Sequence, residues 1–165
     1  METKKEAVAN ATTLIYLSKL GIFHLARNLF SRIFIPSKVM EEITANNYPE
    51  TLVLKKEISY FLKEVNANAQ PFPIGEGERA AISYCLEKGI KLFLSDDKKA
   101  RKFAYSLGLE AQGVLGIIFE NLDKNKIKKD ECRLLVQKLV NCNYYISSQL
   151  YAEVMKKIDR TNGFK

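Results

Sequence analysis

A chain of 165 residues, 47% hydrophobic and 27% charged, has room for one compact domain and lacks the composition of a disordered tail. Lys and Arg total 26 against 19 Asp and Glu, and the resulting net charge of +7 suits a polyanionic partner without identifying one. Ser18, Lys19 and His24 interrupt the most apolar region, Leu14–Phe34, so no run reaches the roughly eighteen apolar residues of a membrane span, and Glu2 and Glu6 beside Lys4 and Lys5 do not make a secretory signal.

In chain order, Ala7 to Asn10 is a short apolar segment that reads as a first strand, and Thr12 to Leu20 has helical spacing that stops at Gly21. Arg32 to Ile35 is a β-branched and aromatic run. Pro36 ends it and opens a helix at its first position, with Val39, Met40 and Ile43 on one side. A longer helix is expected from Glu50 to Val65, then a loop over Asn66–Ile74 with Pro71 and Pro73. Gly75-Glu76-Gly77 leads into a helix through Lys88, and Lys91 to Ser95 is a compact strand. Asp96-Asp97 starts a helix that stops at Gly108, Leu109 to Gln112 is a last strand, and Val114 to Leu122 is helical. Two more helices fill Lys128–Ile158, separated by Tyr144-Tyr145-Ile146.

Short apolar strands alternating with helices predict an α/β fold, a parallel sheet covered on both faces, with ligands bound beyond the carboxyl ends of the strands. Those ends carry Asn10, Pro36-Ser37 and Ser95-Asp96-Asp97. With one histidine, His24, and three scattered cysteines, Cys85, Cys132 and Cys142, neither a zinc site nor a nucleophilic Cys or Ser paired with His is expected. Ordinary packing is the reading for His24 and Cys85, and a reducing cytoplasm disfavours a Cys132–Cys142 bridge. Any catalysis then falls to carboxylates.

Glu78 heads the helical stripe of Ala81, Ile82 and Cys85 and so points toward the body of the protein, whereas Glu76 lies opposite. It is equally readable as a first-turn acid that favours the helix dipole. Glu42 flanks the Val39, Met40 and Ile43 face and looks toward a cleft, or is simply a solvated glutamate near Lys38, while Glu41 points away. One of Asp96 and Asp97 caps the following helix, and the spacing does not say which. Acids gathered around one cleft without histidine or cysteine suit a hard divalent cation, Mg²⁺ or Mn²⁺, which activates water for phosphodiester cleavage.

These segments resemble the PIN-domain nucleases, and among them the VapC-like proteins of prokaryotic toxin–antitoxin systems. The resemblance runs through Val8–Leu17, Ile33–Ile43, Gly75–Ile82 and Leu92–Arg101. Gly113-Val114-Leu115-Gly116 and Asn143–Ile158 are similar to a subgroup with a helical C-terminus. It implies a three-layer α/β/α sandwich over 1–165, with 126–165 as a helical extension, and metal-dependent cleavage of RNA. By this resemblance Glu42, Glu78 and Asp97 match the family's acids, Ser95 its small hydroxyl residue, and Asp96 is accessory, with Glu78, Asp97, Asn10 and Asp96 around the metal. The family's cytoplasmic setting, homodimerisation and a small antitoxin partner are implied in the same way.

The departure is Asn10, where the family usually has Asp. Its amide brings an oxygen but no charge, although Thr12 or Thr13 can add a hydroxyl through water. The alternative is therefore a degenerate PIN module that binds RNA or a protein without cutting. A phosphatase of similar fold needs Asp-x-Asp after the first strand, which Asn10-Ala11-Thr12 does not supply. Lys98, Lys99, Arg101 and Lys102 follow the acids and are candidates for phosphate contacts, or a solvated helix face.

Overall fold

The computed structural model describes residues 2–58 and 61–161. Five strands, β1 (Lys5–Ala9), β2 (Phe30–Pro36), β3 (Leu62–Val65), β4 (Leu92–Leu94) and β5 (Glu110–Gln112), form one sheet in the order β3-β2-β1-β4-β5. Every pairing is parallel. Nine helices lie among the described residues: α1 (Ala11–Leu20), α2 (Phe23–Leu29), α3 (Ser37–Ala45), α4 (Glu50–Ile58), α5 (Glu76–Lys88), α6 (Lys98–Ser106), α7 (Val114–Asp123), α8 (Lys129–Asn141) and α9 (Ser148–Arg160). Among them none is long and apolar enough to cross a membrane.

Strand alternation divides the core in two. Ala7, Ala9, Ile33, Ile35 and Leu94 face a large cluster with α1, α2, α3, α7, α8 and α9. Val8, Phe34 and Phe93 face a smaller one with Ala81, Ile82 and Cys85 of α5 and Ala100 and Ala104 of α6. The result is the three-layer α/β/α sandwich that the alternating pattern predicts. The chain reverses its direction across the sheet between β1 and β4, so a crevice opens beyond the carboxyl ends of these two neighbouring strands.

Three local expectations change. The helix expected to reach Val65 does not: α4 covers Glu50–Ile58, Ser59-Tyr60 lies outside the described residues, and Leu62–Val65 is a strand paired with Ile33–Pro36 of β2. Exposed Lys63 and Glu64 make β3 look helical in sequence, yet charges are what an edge strand carries, and pairing overrides propensity. Helix α2 was not anticipated, because Ile22 at its start supplies no side-chain cap. It forms after Gly21 turns the chain at φ 65° and buries Phe23, Leu25, Ala26 and Leu29. Pro36 closes β2 with extended geometry, and Ser37 is the first helical residue.

His24 is exposed rather than packed. All three cysteines are free, including Cys132 and Cys142. Cys85 is buried as expected, and burial pushes its thiol up to about 12, where it is inert.

Candidate functional site

Two cavities lie at opposite ends of the central strands. The one at the amino-terminal end, about 410 Å³, is lined by Lys5, Lys88, Lys91 and Glu110, and Lys5 there pairs with Glu110 at 3.7 Å. The other, about 530 Å³, adjoins the crevice beyond β1 and β4 and is lined in part by Thr12, Asp96, Asp97, Lys98 and Arg101.

Asn10 follows β1, and its backbone N–H continues the ladder to Leu94 O at 3.0 Å. Its side chain caps α1: Oδ1 accepts from Thr12 N at 3.2 Å and from Thr12 Oγ1 at 2.8 Å. A backbone N–H can only donate, so the amide oxygen must face Thr12. The opposite end of the amide, Nδ2, donates to Ser95 Oγ at 2.9 Å and approaches Glu78 Oε1 at 3.5 Å. Asn10 thus presents a hydrogen-bond donor to the acidic side of the crevice, while its oxygen is turned into the α1 cap.

Ser95 is fully buried at the end of β4. Its Oγ accepts from Asn10 and from Asp97 N at 3.1 Å, which leaves the hydroxyl hydrogen to be donated. Asp97 is exposed and caps α6, its Oδ1 accepting from Ala100 N at 2.7 Å. The question of which aspartate caps is thereby answered. Asp96 turns the other way, into the protein. Thr13 Oγ1 donates to its Oδ2 at 2.7 Å, Tyr144 OH to its Oδ1 at 2.9 Å, and Val114 N to both oxygens at 3.1 and 3.2 Å. Burial pushes its pKa above the usual carboxylate range, against the pull of those three donors. Thr13, named from the residues only as a hydroxyl acting through water, donates instead to Asp96, and Tyr144, in the segment between the last two helices, carried no readable signal.

Glu42 is exposed, and its Oε1 accepts from Gly77 N at 3.0 Å, at the start of α5. Partial burial there, and after it the negative charge of Glu78, hold its carboxyl above the ordinary value. Lys38, whose charge acts on Glu42 only weakly, pairs with Glu41 at 3.1 Å and Glu76 at 3.8 Å. Two glycines make room for these acids. A Cβ on Gly77 would come within 2.7 Å of Glu42 Oε1, and one on Gly113 within 3.0 Å of Asp96 Cγ.

The crevice therefore joins Asn10, Glu78, Ser95 and the Asp97 backbone through hydrogen bonds, and Glu42 to Glu78 through charge. Lys98 and Arg101 line the adjoining cavity, and Arg101 Nη1 donates to Ser95 O at 3.2 Å. Lys99 and Lys102 are exposed elsewhere on α6.

Among the described residues no three His, Cys, Asp or Glu side chains are grouped to hold a metal ion. Mg²⁺ does not require such a cage, since it commonly takes one or two carboxylates and completes its shell with water and phosphate oxygens. Glu42 and Glu78, repelling each other with Lys38 engaged elsewhere, are a donor set of that kind. The described acids do not form a closed cage, and what these two offer is carboxylate oxygen, the donor chemistry of a hard, hydrated cation.

A family model described as DUF3368: PIN domain matches residues 6–160. Among solved structures, the chain is similar to a PilT N-terminus domain protein from the hyperthermophilic archaeon Sulfolobus solfataricus P2. The TM-score is 0.52 at 18% identity, over 71% of this chain and 93% of that one. A domain of a functionally unknown protein from Methanocaldococcus jannaschii DSM 2661 gives a TM-score of 0.48 at 16% identity, over 66% of this chain and 90% of that one. No curated protein matches the chain.

Proposed function

The chain belongs to the PIN-domain family, and from that premise we propose that it is a Mg²⁺- or Mn²⁺-dependent endoribonuclease of the VapC-like kind, acting in the cytoplasm as a homodimer that a small antitoxin restrains. The observation that carries the reading is the Glu42–Glu78 pair. Glu42 Oε1 accepts from Gly77 N, the residue before Glu78, so both acids stand at the start of α5, and the charge of Glu78 helps raise the pKa of Glu42. Mutual repulsion of this kind is relieved by a divalent cation.

Glu42 and Glu78 would hold the ion, with the exposed carboxylate of Asp97 close by for its water ligands. The ion, when bound, lowers the pKa of a water and stabilises the leaving oxygen of a phosphodiester. Asn10 Nδ2 orients Glu78, and the amide cannot rotate without breaking its cap to Thr12. Ser95, fully buried with both acceptor positions filled by Asn10 and the Asp97 backbone, positions these two neighbours at the end of β4. Lys98, Lys99, Arg101 and Lys102 supply the positive field for the RNA backbone.

The test is cleavage of a labelled RNA in Mn²⁺ or Mg²⁺ by the wild type and by Glu78→Gln. Loss of cleavage in a folded variant supports the reading; equal cleavage by both assigns the activity to a contaminant. The second reading, a PIN module that binds RNA without cutting it, is favoured by one feature. Asn10 brings a neutral donor where the resemblance expects a carboxylate. RNA binding by a wild type that cleaves nothing in either metal would select it.

A further inference from the structure

We propose that the 530 Å³ cavity beside the acids is a subsite for one unpaired RNA nucleotide, its base stacked on Tyr145 and its phosphate held by Lys98 and Arg101. The inference rests on the RNA reading above and adds which residues of this chain seat a nucleotide beside the acids. Tyr145 is 89% exposed, more than any other large apolar side chain among the described residues. Its neighbours in the chain are the reverse: Tyr144 and Ile146 are packed against the core.

That alternation fixes the backbone that displays the ring. Tyr144 OH is bound to Asp96, its N–H donates to Leu139 O at 3.1 Å, and its ring meets Tyr16 edge-on at 5.0 Å between centroids. An aromatic face held out on an anchored segment loses little freedom when a base stacks on it, and every base has a face to offer. Lys98 and Arg101 line the same cavity, and the bond from Arg101 Nη1 to Ser95 O anchors its guanidinium at the wall. A fixed planar guanidinium suits a phosphate. Asp96 and Asp97 line the same cavity, so a nucleotide seated here lies beside the acids at the end of β4. The volume lies within the roughly 300–1,000 Å³ of small-molecule sites. A paired base cannot present its face to Tyr145, so the subsite selects single strands.

The experiment is equilibrium binding of a fluorescein-labelled single-stranded RNA octamer in EDTA, where cleavage does not enter, with a duplex of the same sequence as comparison. Tyr145→Ala should weaken single-strand binding by roughly fivefold to a hundredfold, and Tyr145→Phe should restore it. Arg101→Ala should lower the salt dependence by about one phosphate contact. Unchanged affinity in Tyr145→Ala, or equal affinity for the duplex, overturns the proposal. Because the residue is exposed, Tyr145→Ala should keep the wild-type melting temperature, which makes a null result interpretable. The two readings fail separately. Tyr145-dependent binding without any cleavage in Mn²⁺ removes the nuclease and keeps the subsite, whereas cleavage indifferent to Tyr145 and to strandedness removes the subsite and keeps the nuclease.

Discussion

Asp96 and Glu42 are both carboxylates for which burial disfavours the charged form, and they are handled in opposite ways. Asp96 receives three neutral donors, one each from α1, the first residue of α7 and the segment before α9. Its charge is absorbed locally, and it clasps three separate parts of the chain to the end of β4. Glu42 receives a single backbone N–H and feels the charge of another carboxylate, Glu78. Its charge is left for something from outside to balance. The more deeply buried acid is thus the structural one, and the more exposed acid is the one suited to chemistry, so depth of burial alone would have chosen wrongly.

The sharpest separation is by activity against stability. Glu78→Gln should reduce metal-dependent RNA cleavage by roughly a hundredfold or more, about 3 kcal/mol of transition-state stabilisation, with a melting temperature at or above that of the wild type. Asp96→Ala should do the converse to the fold. It leaves three inward-facing donors without their acceptor, at a cost of about 2–4 kcal/mol or roughly ten degrees in the melting temperature. If Asp96→Ala melts like the wild type, the clasp is not holding the three elements and the contrast drawn above fails. Tyr144→Phe removes one arm only and should cost about 1–2 kcal/mol, read by the same melt.

Asp97 sits between the two cases, since it caps a helix and also stands at the crevice. Asp97→Ala should lose about 1 kcal/mol from the cap together with activity. Asp97→Asn keeps the cap, because Asn serves there equally well, and removes only the charge. Cleavage lost in Asp97→Asn at unchanged stability assigns Asp97 to the metal's surroundings; cleavage retained confines it to capping.

Much of this was legible in the residues, and what was not has a common cause. The parallel sheet followed from short apolar runs between helices, and the position of the crevice followed from the strand ends. Period 3.6 set Glu78 at the head of the Ala81, Ile82 and Cys85 stripe, but left open whether it is an inward acid or a first-turn acid on the helix dipole. The roles of Asp96 and Asp97 could not be read, because adjacent residues at a strand end differ only in which way the chain turns, and that depends on Val114 and Tyr144, distant in sequence. The same holds for β3, where pairing with β2 decides between helix and strand for Leu-Lys-Glu-Val. The Asn10 orientation was beyond reach for a similar reason: Thr12 N fixes the amide oxygen, but what Nδ2 meets is set by Ser95 and Glu78 across the sheet. Gly77 and Gly113 carried a readable signal, small residues beside acids, whose meaning needs the distances to Glu42 and Asp96.

The smallest expected effect is the pH dependence contributed by Glu42, and it carries the comparison into solution. Its pKa in the folded protein is raised, chiefly by burial and then by Glu78. Between the unfolded value, roughly 4.3, and the higher folded one, the native state binds more protons than the unfolded chain, so stability falls as pH rises through that window. The contribution is fully present below the unfolded value and absent at neutral pH. Glu42→Gln should therefore raise the melting temperature slightly at pH 7, solvent screening keeping the effect small at an exposed residue, and leave it nearly unchanged near pH 4. Asp96, raised as well, contributes the same sign in both proteins and cancels in the difference. Mg²⁺ must act the opposite way, because it binds the ionised pair. At about ten times its dissociation constant it should stabilise the wild type by about 1.4 kcal/mol, roughly 3–6 °C, at pH 7, by much less near pH 4, and less again in Glu42→Gln. A Mg²⁺ shift of equal size in the variant would place the cation elsewhere and leave Glu42 as a partly buried acid with no ligand to hold.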